Sequence, residues 1–442
     1  MVQAVVDEGL GNSSYLVDLR DGAALIVDPF RDPRPYLEEA ERRGLRVRFA
    51  AETHLHADFI SGARELANEQ GATVLASAAG KTEFDHRPLH EGEEIDLGGL
   101  RMRVLGTPGH TPEHLSFLLE DDGRPLALFS GGALIVGGVA RTDLIAPEQT
   151  EPLAHAAWRS LQALLTLPDD LQVYPTHGSG SFCSTTTGDE RTTTIGAEKR
   201  LRGEDEFVRS VTTQPGSFPR YFLKLRDVNR RGPTLYGRET PRLTPLSVDQ
   251  VDQAISAGGV LIDARPIERF GVGHVPGAVS IELRSQFGVW LGWVIEDLAT
   301  PLVLVTDSEQ DHDDLVRQCL QVGFENLVGE VAGGMDAWQA AGRQVSRTLL
   351  TDRPLPGRVL LDVRQRREWD SGHVPGAIHL ELGDLAHGRW DGRLRGPLVT
   401  HCVHGQRSMT AASLLERSGC HDVAVFSGGP QQWLESTGQA RA

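Results

Sequence analysis

Five of the sixteen histidines fall in three short clusters whose residue types could bind a metal. The first is Thr53-His54-Leu55-His56-Ala57-Asp58-Phe59, the second Gly109-His110-Thr111-Pro112-Glu113-His114, and the third Tyr174-Pro175-Thr176-His177. Each follows a β-branched or apolar run and so sits at a predicted strand end. Imidazoles converging from several strand ends are a common way to build a catalytic Zn or Fe centre. Residues i and i+2 of a regular strand point to opposite faces, so His54 and His56 converge only if the chain has already left the strand. His86, His90 and His155 have no such spacing and read as surface residues.

The elements that must position these groups follow from length and pattern. At 442 residues the chain suggests about three domains. A net charge of −17 argues against nucleic acid as the main partner and against docking on an anionic membrane. The four cysteines, Cys183, Cys319, Cys402 and Cys420, form no C-x-x-C pair and are too few for a disulfide framework, which points to a reducing cytosol. Met1 to Gly9 carries acids and no apolar core of a signal peptide. The longest apolar run, Ala133 to Ala140, is far short of the ~18 residues of a membrane span.

Asn12–Val17 and Ala24–Val27 read as paired strands joined by a turn at Arg20-Asp21-Gly22. Residues 35–43 read as a helix, and 47–51 as a strand running into the first histidine cluster. Further on the sequence repeats. Val260-Leu-Ile-Asp-Ala-Arg265 with Gly273-His-Val-Pro-Gly-Ala278 matches Val359-Leu-Leu-Asp-Val-Arg364 with Gly372-His-Val-Pro-Gly-Ala377, and Asp263 and Asp362 stand 99 positions apart. Gly333-Gly334 and Trp338 match Gly428-Gly429 and Trp433 at an offset of 95. Such a period means two tandem copies of one small domain. Within each copy, buried β-branched strands (260–262, 302–305) alternate with helices (249–257, 410–418), the pattern of an α/β domain with a parallel sheet. The stretch 346–357, with Pro354, Pro356 and Gly357, reads as the linker between copies.

With Gly11-Asn12, Asp28-Pro29, Thr107-Pro-Gly-His110-Thr, Ala140-Arg141-Thr-Asp143 and Tyr174-Pro-Thr-His177-Gly-Ser-Gly-Ser-Phe-Cys183 added to the first cluster, the chain resembles the metallo-β-lactamase fold superfamily, and within it persulfide dioxygenases fused to rhodanese domains. The resemblance implies an N-terminal αββα sandwich over 1–242, a rhodanese-like α/β domain over 243–346 and a second over 352–442, both with parallel sheets. It also implies a mononuclear iron held by the residues matching His54, His110 and an aspartate. This chain departs at two positions. The family's H-x-H-x-D-H ends here in Phe59, and its T-G-D reads Ser130-Gly131-Gly132, so the carboxylate position is Gly132. Of the superfamily's second metal site, Asp58 and His177 remain. His54, His56 and His110 could still supply three nitrogens, a set that suits Zn and suits Fe(II) with O₂ poorly. The expected cofactor is thus Fe(II) or Zn at a weakened site, or none. Cys183 reads as a packed loop cysteine, with a sulfur-carrying thiol as the alternative.

The repeated D-x-R … G-H-V-P-G-A … G-G-x-x-x-W pattern resembles the rhodanese domain. In the last copy His401-Cys402-Val403-His404-Gly405-Gln406-Arg407-Ser408 matches the rhodanese C-x-x-G-x-R active loop. The resemblance implies a Cys402 thiolate that accepts sulfane sulfur and passes it on. Gly405 lets the loop curl so that its amides face the sulfur, a helix from Thr410 supports the thiolate, and Arg407 can attract an anionic donor. In the middle copy an offset of 95 sets Asp307 at the cysteine position, in an acidic loop over 307–314 without the glycine and arginine, so this copy is expected to be inert. Cys319 reads as core. Asp263, Arg265, Asp362, Arg364 and Glu368 read as structural hydrogen-bonding residues. The aromatic run Gln286 to Trp293 reads as packing.

The expected function is sulfane-sulfur handling in the cytoplasm, with Cys402 as the nucleophile and a small thiol, persulfide or thiosulfate as partner. A homo-oligomer is compatible with the sequence. Three other readings stand beside it for the first domain: a working iron persulfide dioxygenase, a non-catalytic binding scaffold, and a glyoxalase-type thioester hydrolase.

Overall fold

A computed structural model describes residues 1–184, 190–199, 203–213, 216–390, 394 and 396–438. The chain divides into two compact units, Met1–Thr240 with Leu320–Gly323, and Pro241–Cys319 with Phe324–Ala442. Among the described residues no helix is long and apolar enough to cross a membrane.

The first unit is a sandwich of two six-stranded sheets. One sheet runs Val2–Asp7, Asn12–Asp18, Ala23–Val27, Arg46–Ala51, Thr73–Ser77 and Arg87–Leu89 in sequence order, antiparallel at first and parallel from Ala23–Val27 onward. The other orders Thr193–Thr194, Gln172–Pro175, Arg124–Gly131, Leu115–Asp121, Arg101–Gly106 and Glu94–Asp96. Alternation along the strands sends one side-chain set into the core between the sheets. Tyr15, Val17, Leu25 and Val27 pack there against Met102, Val104, Phe117, Leu119 and Phe129. The opposite set on the second sheet, Leu118 and Leu128, packs under Leu164 of the helix Thr150–Leu164. Helices Arg34–Arg42 and Ala63–Gln70 contact the strand Arg46–Ala51 of the first sheet. This is the αββα architecture expected, and its strand ends carry the histidines.

The second unit holds the two repeats, each a five-stranded sheet. The first orders Pro245–Leu246, Leu327–Val331, Leu302–Val305, Val260–Asp263 and Val279–Ser280; the second orders Leu349–Thr351, Val423–Phe426, Leu398–His401, Val359–Asp362 and Ile378–His379. All pairings in both are parallel. Their central strands, such as Leu302–Val305 and Leu398–His401, are buried at every position, as in a sheet covered on both faces.

Pairing register changes one expectation. Asp263 pairs with Val305, and Asp362 pairs with His401. The residue after each strand is therefore Thr306 in the middle copy and Cys402 in the last, so Thr306, not Asp307, is the structural counterpart of the cysteine. The helix that follows starts at His312 in the middle copy and at Gln406 in the last, so the loop after the strand is longer in the middle copy. An offset counted on sequence alone misses this, because the copies differ in loop length. The helix after Cys402, expected from Thr410, begins at Gln406, which brings its N-terminus to the cysteine loop.

Candidate functional site

Two constellations carry chemistry, one in each unit. In the first, the chain leaves the strand Arg46–Ala51 and turns at Thr53. The Thr53 N–H donates to Asp28 Oδ1 and its hydroxyl to Asp28 Oδ2, both at 2.7 Å. With its proton committed, the Thr53 oxygen accepts from His54 Nδ1 at 2.8 Å, which leaves His54 Nε2 bare. His110 donates from Nδ1 to the Arg141 carbonyl at 2.6 Å, so its Nε2 is bare as well. His177 Nδ1 faces Asn12 Oδ1 at 3.2 Å and Asp58 Oδ2 at 3.4 Å, and its Nε2 lies 3.4 Å from His54 Nε2.

Ligand atoms of His54, His110 and His177 all lie within 4.8 Å of one another, and all three residues are buried. Burial, reinforced by the neighbouring imidazoles, holds His54 well below the usual histidine range; burial and His177 push His110 down as well. His54 and His110 are therefore neutral donors. Zinc–nitrogen bonds of about 2.0–2.1 Å at tetrahedral angles separate ligand nitrogens by roughly 3.3 Å, close to the observed His54–His177 spacing. The donor set therefore fits Zn with three imidazoles and an open position.

The set differs from the expected trio of His54, His56 and His110 in having His177 where His56 was expected. The His56 ring lies 4.2 Å from that of His54, centroid to centroid, but its Nε2 faces two carboxylates. Its Nε2 lies 3.2 Å from both Asp28 Oδ1 and Glu52 Oε2. Burial pushes its imidazole down, but the two carboxylates override this and hold it up at about 10. Burial raises Glu52, while Asp28 stays below the carboxylate norm, because His56, Thr176 and Thr53 outweigh its burial. His56 thus sits between two buried carboxylates, and Asp28, Glu52 and His56 form a second group whose ligand atoms lie within 4.8 Å of one another. Phe59 stacks on it, with ring centroids 4.2 Å apart.

Asp58 lies with His177 and Cys183 rather than with His54 and His110. Its Oδ2 accepts from Asn12 Nδ2 at 2.6 Å. As a carboxylate behind a histidine it orients that ring, a common arrangement behind metal ligands. Cys183 is fully buried, and burial together with Asp58 keeps its thiol well above the ordinary range. Gly132 offers no room for the missing carboxylate: a Cβ there would sit 2.8 Å from His110 Cδ2 and 2.9 Å from Ala140 Cβ. The two-histidine, one-carboxylate iron set therefore does not fit this chain.

Sequence reasoning quoted His114 without giving it a role. It is buried, lies nearly parallel to His54 at 5.0 Å, and accepts the Gly132 N–H on Nε2 at 2.9 Å while its Nδ1 meets Thr107 Oγ1. It fixes the loop at the vacant carboxylate position. Glu52 was also missed; its only signal was a carboxylate two residues before the first histidine.

In the second unit, Cys402 follows the central strand Leu398–His401 and is 2 % exposed. The Gly405 N–H points at its sulfur, N to Sγ 3.2 Å. Gly405 has φ +92°, and a Cβ there would lie 2.9 Å from Ile267 Cδ1. Burial drives the Cys402 thiol up, but the Arg407 charge and hydrogen bonds from Ser408 and the His404 amide win, and the net shift is downward. The start of the helix Gln406–Arg417 adds its positive end. Arg407 itself is committed: it pairs with both oxygens of Glu368 at 2.6 and 2.8 Å and lies over the Trp290 ring at 5.3 Å. Arg407, expected to attract an anionic donor, is held in place by this pairing. Glu368, read as structural, is what holds it.

Asp362 and Arg364 form a buried pair at 2.7 Å, matched by Asp263 and Arg265 at 2.6 Å. Cys319 is buried, and burial alone keeps its thiol protonated.

The Metallo-beta-lactamase superfamily model matches residues 7–177, and the Rhodanese-like domain model matches 247–341 and 347–436. A hydroxyacylglutathione hydrolase of Methylococcus capsulatus is 36% identical over 162 residues, 35% of this chain and 57% of that protein. Human "Persulfide dioxygenase ETHE1, mitochondrial" is 30% identical over 183 residues, 40% of this chain and 68% of that protein. The chain spans only 57% to 62% of the length of the first hydroxyacylglutathione hydrolases it matches. The crystal structure of a metallo-beta-lactamase from Staphylococcus aureus subsp. aureus COL superposes with a TM-score of 0.66 at 28% identity, covering 75% of this chain and 99% of that one.

Proposed function

The chain belongs to the metallo-β-lactamase superfamily and carries two rhodanese-like domains behind that fold, and from this we propose that it is a sulfurtransferase acting through a persulfide on Cys402. The observation that carries the reading is the Cys402 sulfur, buried, facing the Gly405 N–H at 3.2 Å and held below the ordinary thiol range beside Arg407. A thiolate in such a setting is a sulfur nucleophile at neutral pH. With thiosulfate, the Cys402 thiolate attacks the outer sulfur; the new S–S bond forms as the old one breaks, and sulfite leaves with the electron pair. An acceptor thiolate or cyanide then takes the outer sulfur and restores the Cys402 thiolate. The named activities of the relatives, a persulfide dioxygenase and hydroxyacylglutathione hydrolases, support sulfur compounds as the substrate class.

For the first domain, His54, His110 and His177 would hold a zinc ion, supported by their bare Nε2 atoms. A zinc ion there supplies a Lewis acid and a water of lowered pKa. Asp58 and Asn12 orient His177, Thr53 orients His54, and the Arg141 carbonyl orients His110. We place the protein in a reducing, cytoplasmic setting, where the Cys402 thiol persists, with a small thiol, persulfide or thiosulfate as partner. The test is sulfur transfer from thiosulfate to cyanide by the purified chain, with Cys402→Ser as the control. Transfer that needs Cys402 supports the reading, and an inactive wild type refutes it.

A further inference from the structure

We infer that Arg284, on the rhodanese-like domain that lacks a cysteine, is the anion-binding residue of the Cys402 site and takes up the sulfonate end of thiosulfate. The inference rests on the proposed sulfurtransferase reading and adds a residue from the other repeat to its site.

The segment from Ser280 to Trp290 lies along the start of the helix that follows Cys402. At one end, Thr410 Oγ1 donates to the Ser280 carbonyl at 2.6 Å, and the Ser280 N–H donates to Ser413 Oγ at 3.1 Å. At the other end, the Trp290 ring lies 5.3 Å under the Arg407 guanidinium. Between them, Gln406, the first residue of the helix, favours the Glu282 carboxylate. Ile267 of the same domain closes on Gly405 from outside the segment. Arg284 is therefore bracketed by residues that touch both flanks of the cysteine loop.

Its charge interacts with Cys402, Arg407 and Glu282. Arg407 is bound on both nitrogens by Glu368, whereas the Arg284 side chain has no hydrogen bond or ion pair among the described residues. Burial pushes its pKa down against the pull of Glu282 and Cys402, but an arginine keeps its charge in proteins. Glu282, beside it, is raised first by burial and then by Glu268, so it is a weakened competitor for the guanidinium. An uncommitted, half-buried guanidinium next to a thiolate is suited to a planar or pyramidal oxyanion, which it can meet with two parallel N–H donors. The sulfonate of thiosulfate, and the sulfite that leaves when Cys402 takes the outer sulfur, are such groups. The middle domain, without a nucleophile of its own at Thr306, thus keeps a part in the chemistry.

Two readouts on the full chain test this. The first is the rate of Cys402 alkylation by iodoacetate, an anion, relative to neutral iodoacetamide, followed on the Cys402 peptide by mass spectrometry. Arg284→Gln should lower that ratio by roughly fivefold, what one screened charge at short range is worth, and Arg284→Lys should restore most of it. The second is thiosulfate:cyanide transfer, where Arg284→Gln should raise KM for thiosulfate about tenfold with kcat within about twofold. An unchanged alkylation ratio, or an equal loss in both alkylation rates, overturns the inference. A wild type that transfers no sulfur overturns the sulfurtransferase reading instead, and the alkylation ratio then decides on Arg284 alone.

Discussion

Replacing Gly405 by alanine tests how the Cys402 thiolate is held. Gly405 sits at φ +92°, ψ −26°, and its N–H is the donor 3.2 Å from the sulfur. An alanine in the left-handed region costs about 1–2 kcal/mol. Its Cβ would approach Ile267 Cδ1 to 2.9 Å and Ser427 Cα to 3.3 Å. The first contact is a flexible side-chain end and can give; the second is backbone and gives less. If the loop keeps its shape, the protein loses roughly 1–3 kcal/mol of stability, read as a lower Tm. If the loop relaxes, the amide turns away, and the lost hydrogen bond to a charged acceptor, worth about 1.5–3 kcal/mol, raises the Cys402 pKa. The sign follows from the folded thiol lying below its unfolded value. Its contribution to stability is fully present above the unfolded pKa and is lost as pH falls through the folded pKa. In the relaxed case the variant should therefore be more destabilised at high pH than near neutrality. The assays are thermal melts across pH and the pH dependence of Cys402 alkylation by iodoacetamide. A Gly405→Ala variant with unchanged melting and an unchanged alkylation profile would refute the reasoning.

Three further outcomes are expected. Asp307→Ala in the middle copy should leave thiosulfate:cyanide transfer within about twofold of wild type, measured as kcat/KM, because that loop holds no nucleophile. His110→Ala should strip zinc from the protein, whereas His56→Ala should keep the zinc but lose about 3–5 kcal/mol of stability, because Asp28 and Glu52 lose the cation between them; metal analysis and denaturant unfolding separate the two. Gly132→Asp should lower Tm through about 1–3 kcal/mol of overpacking against His110 and should not raise iron content, whatever the family pattern suggests.

Much of this was legible in the residues. Two runs of Val-Leu-Ile-Asp and Val-Leu-Leu-Asp followed by Gly-His-Val-Pro-Gly-Ala carry the repeat, and buried apolar runs with crossover helices leave little choice but parallel sheets. The Cys402, Gly405 and Arg407 spacing was legible for the same local reason: a loop of six residues carries its own geometry. What failed was long-range. His54 and His56 are two residues apart, and the sequence does not say which one faces Asp28, the residue just past the strand Ala23–Val27. The structure settles it through the Thr53 hydrogen bonds to Asp28, which turn His54 toward His177. The register of the middle copy failed because an insertion after the strand shifts the offset, and only pairing with Asp263 sets Thr306 opposite Cys402. The partner of Arg407 was hidden because Glu368 is 39 positions away.

The central claim is that sulfur passes through Cys402. The most direct measurement is mass spectrometry of the intact chain and its Cys402 peptide after incubation with thiosulfate, alongside transfer to cyanide, for wild type and Cys402→Ser. Wild type should gain one sulfur on the Cys402 peptide, lose it on adding cyanide, and turn over; the serine variant should fold with an unchanged melting curve and do neither. A serine variant that retains most of the transfer, or a wild type whose added sulfur sits on another cysteine, would contradict the claim.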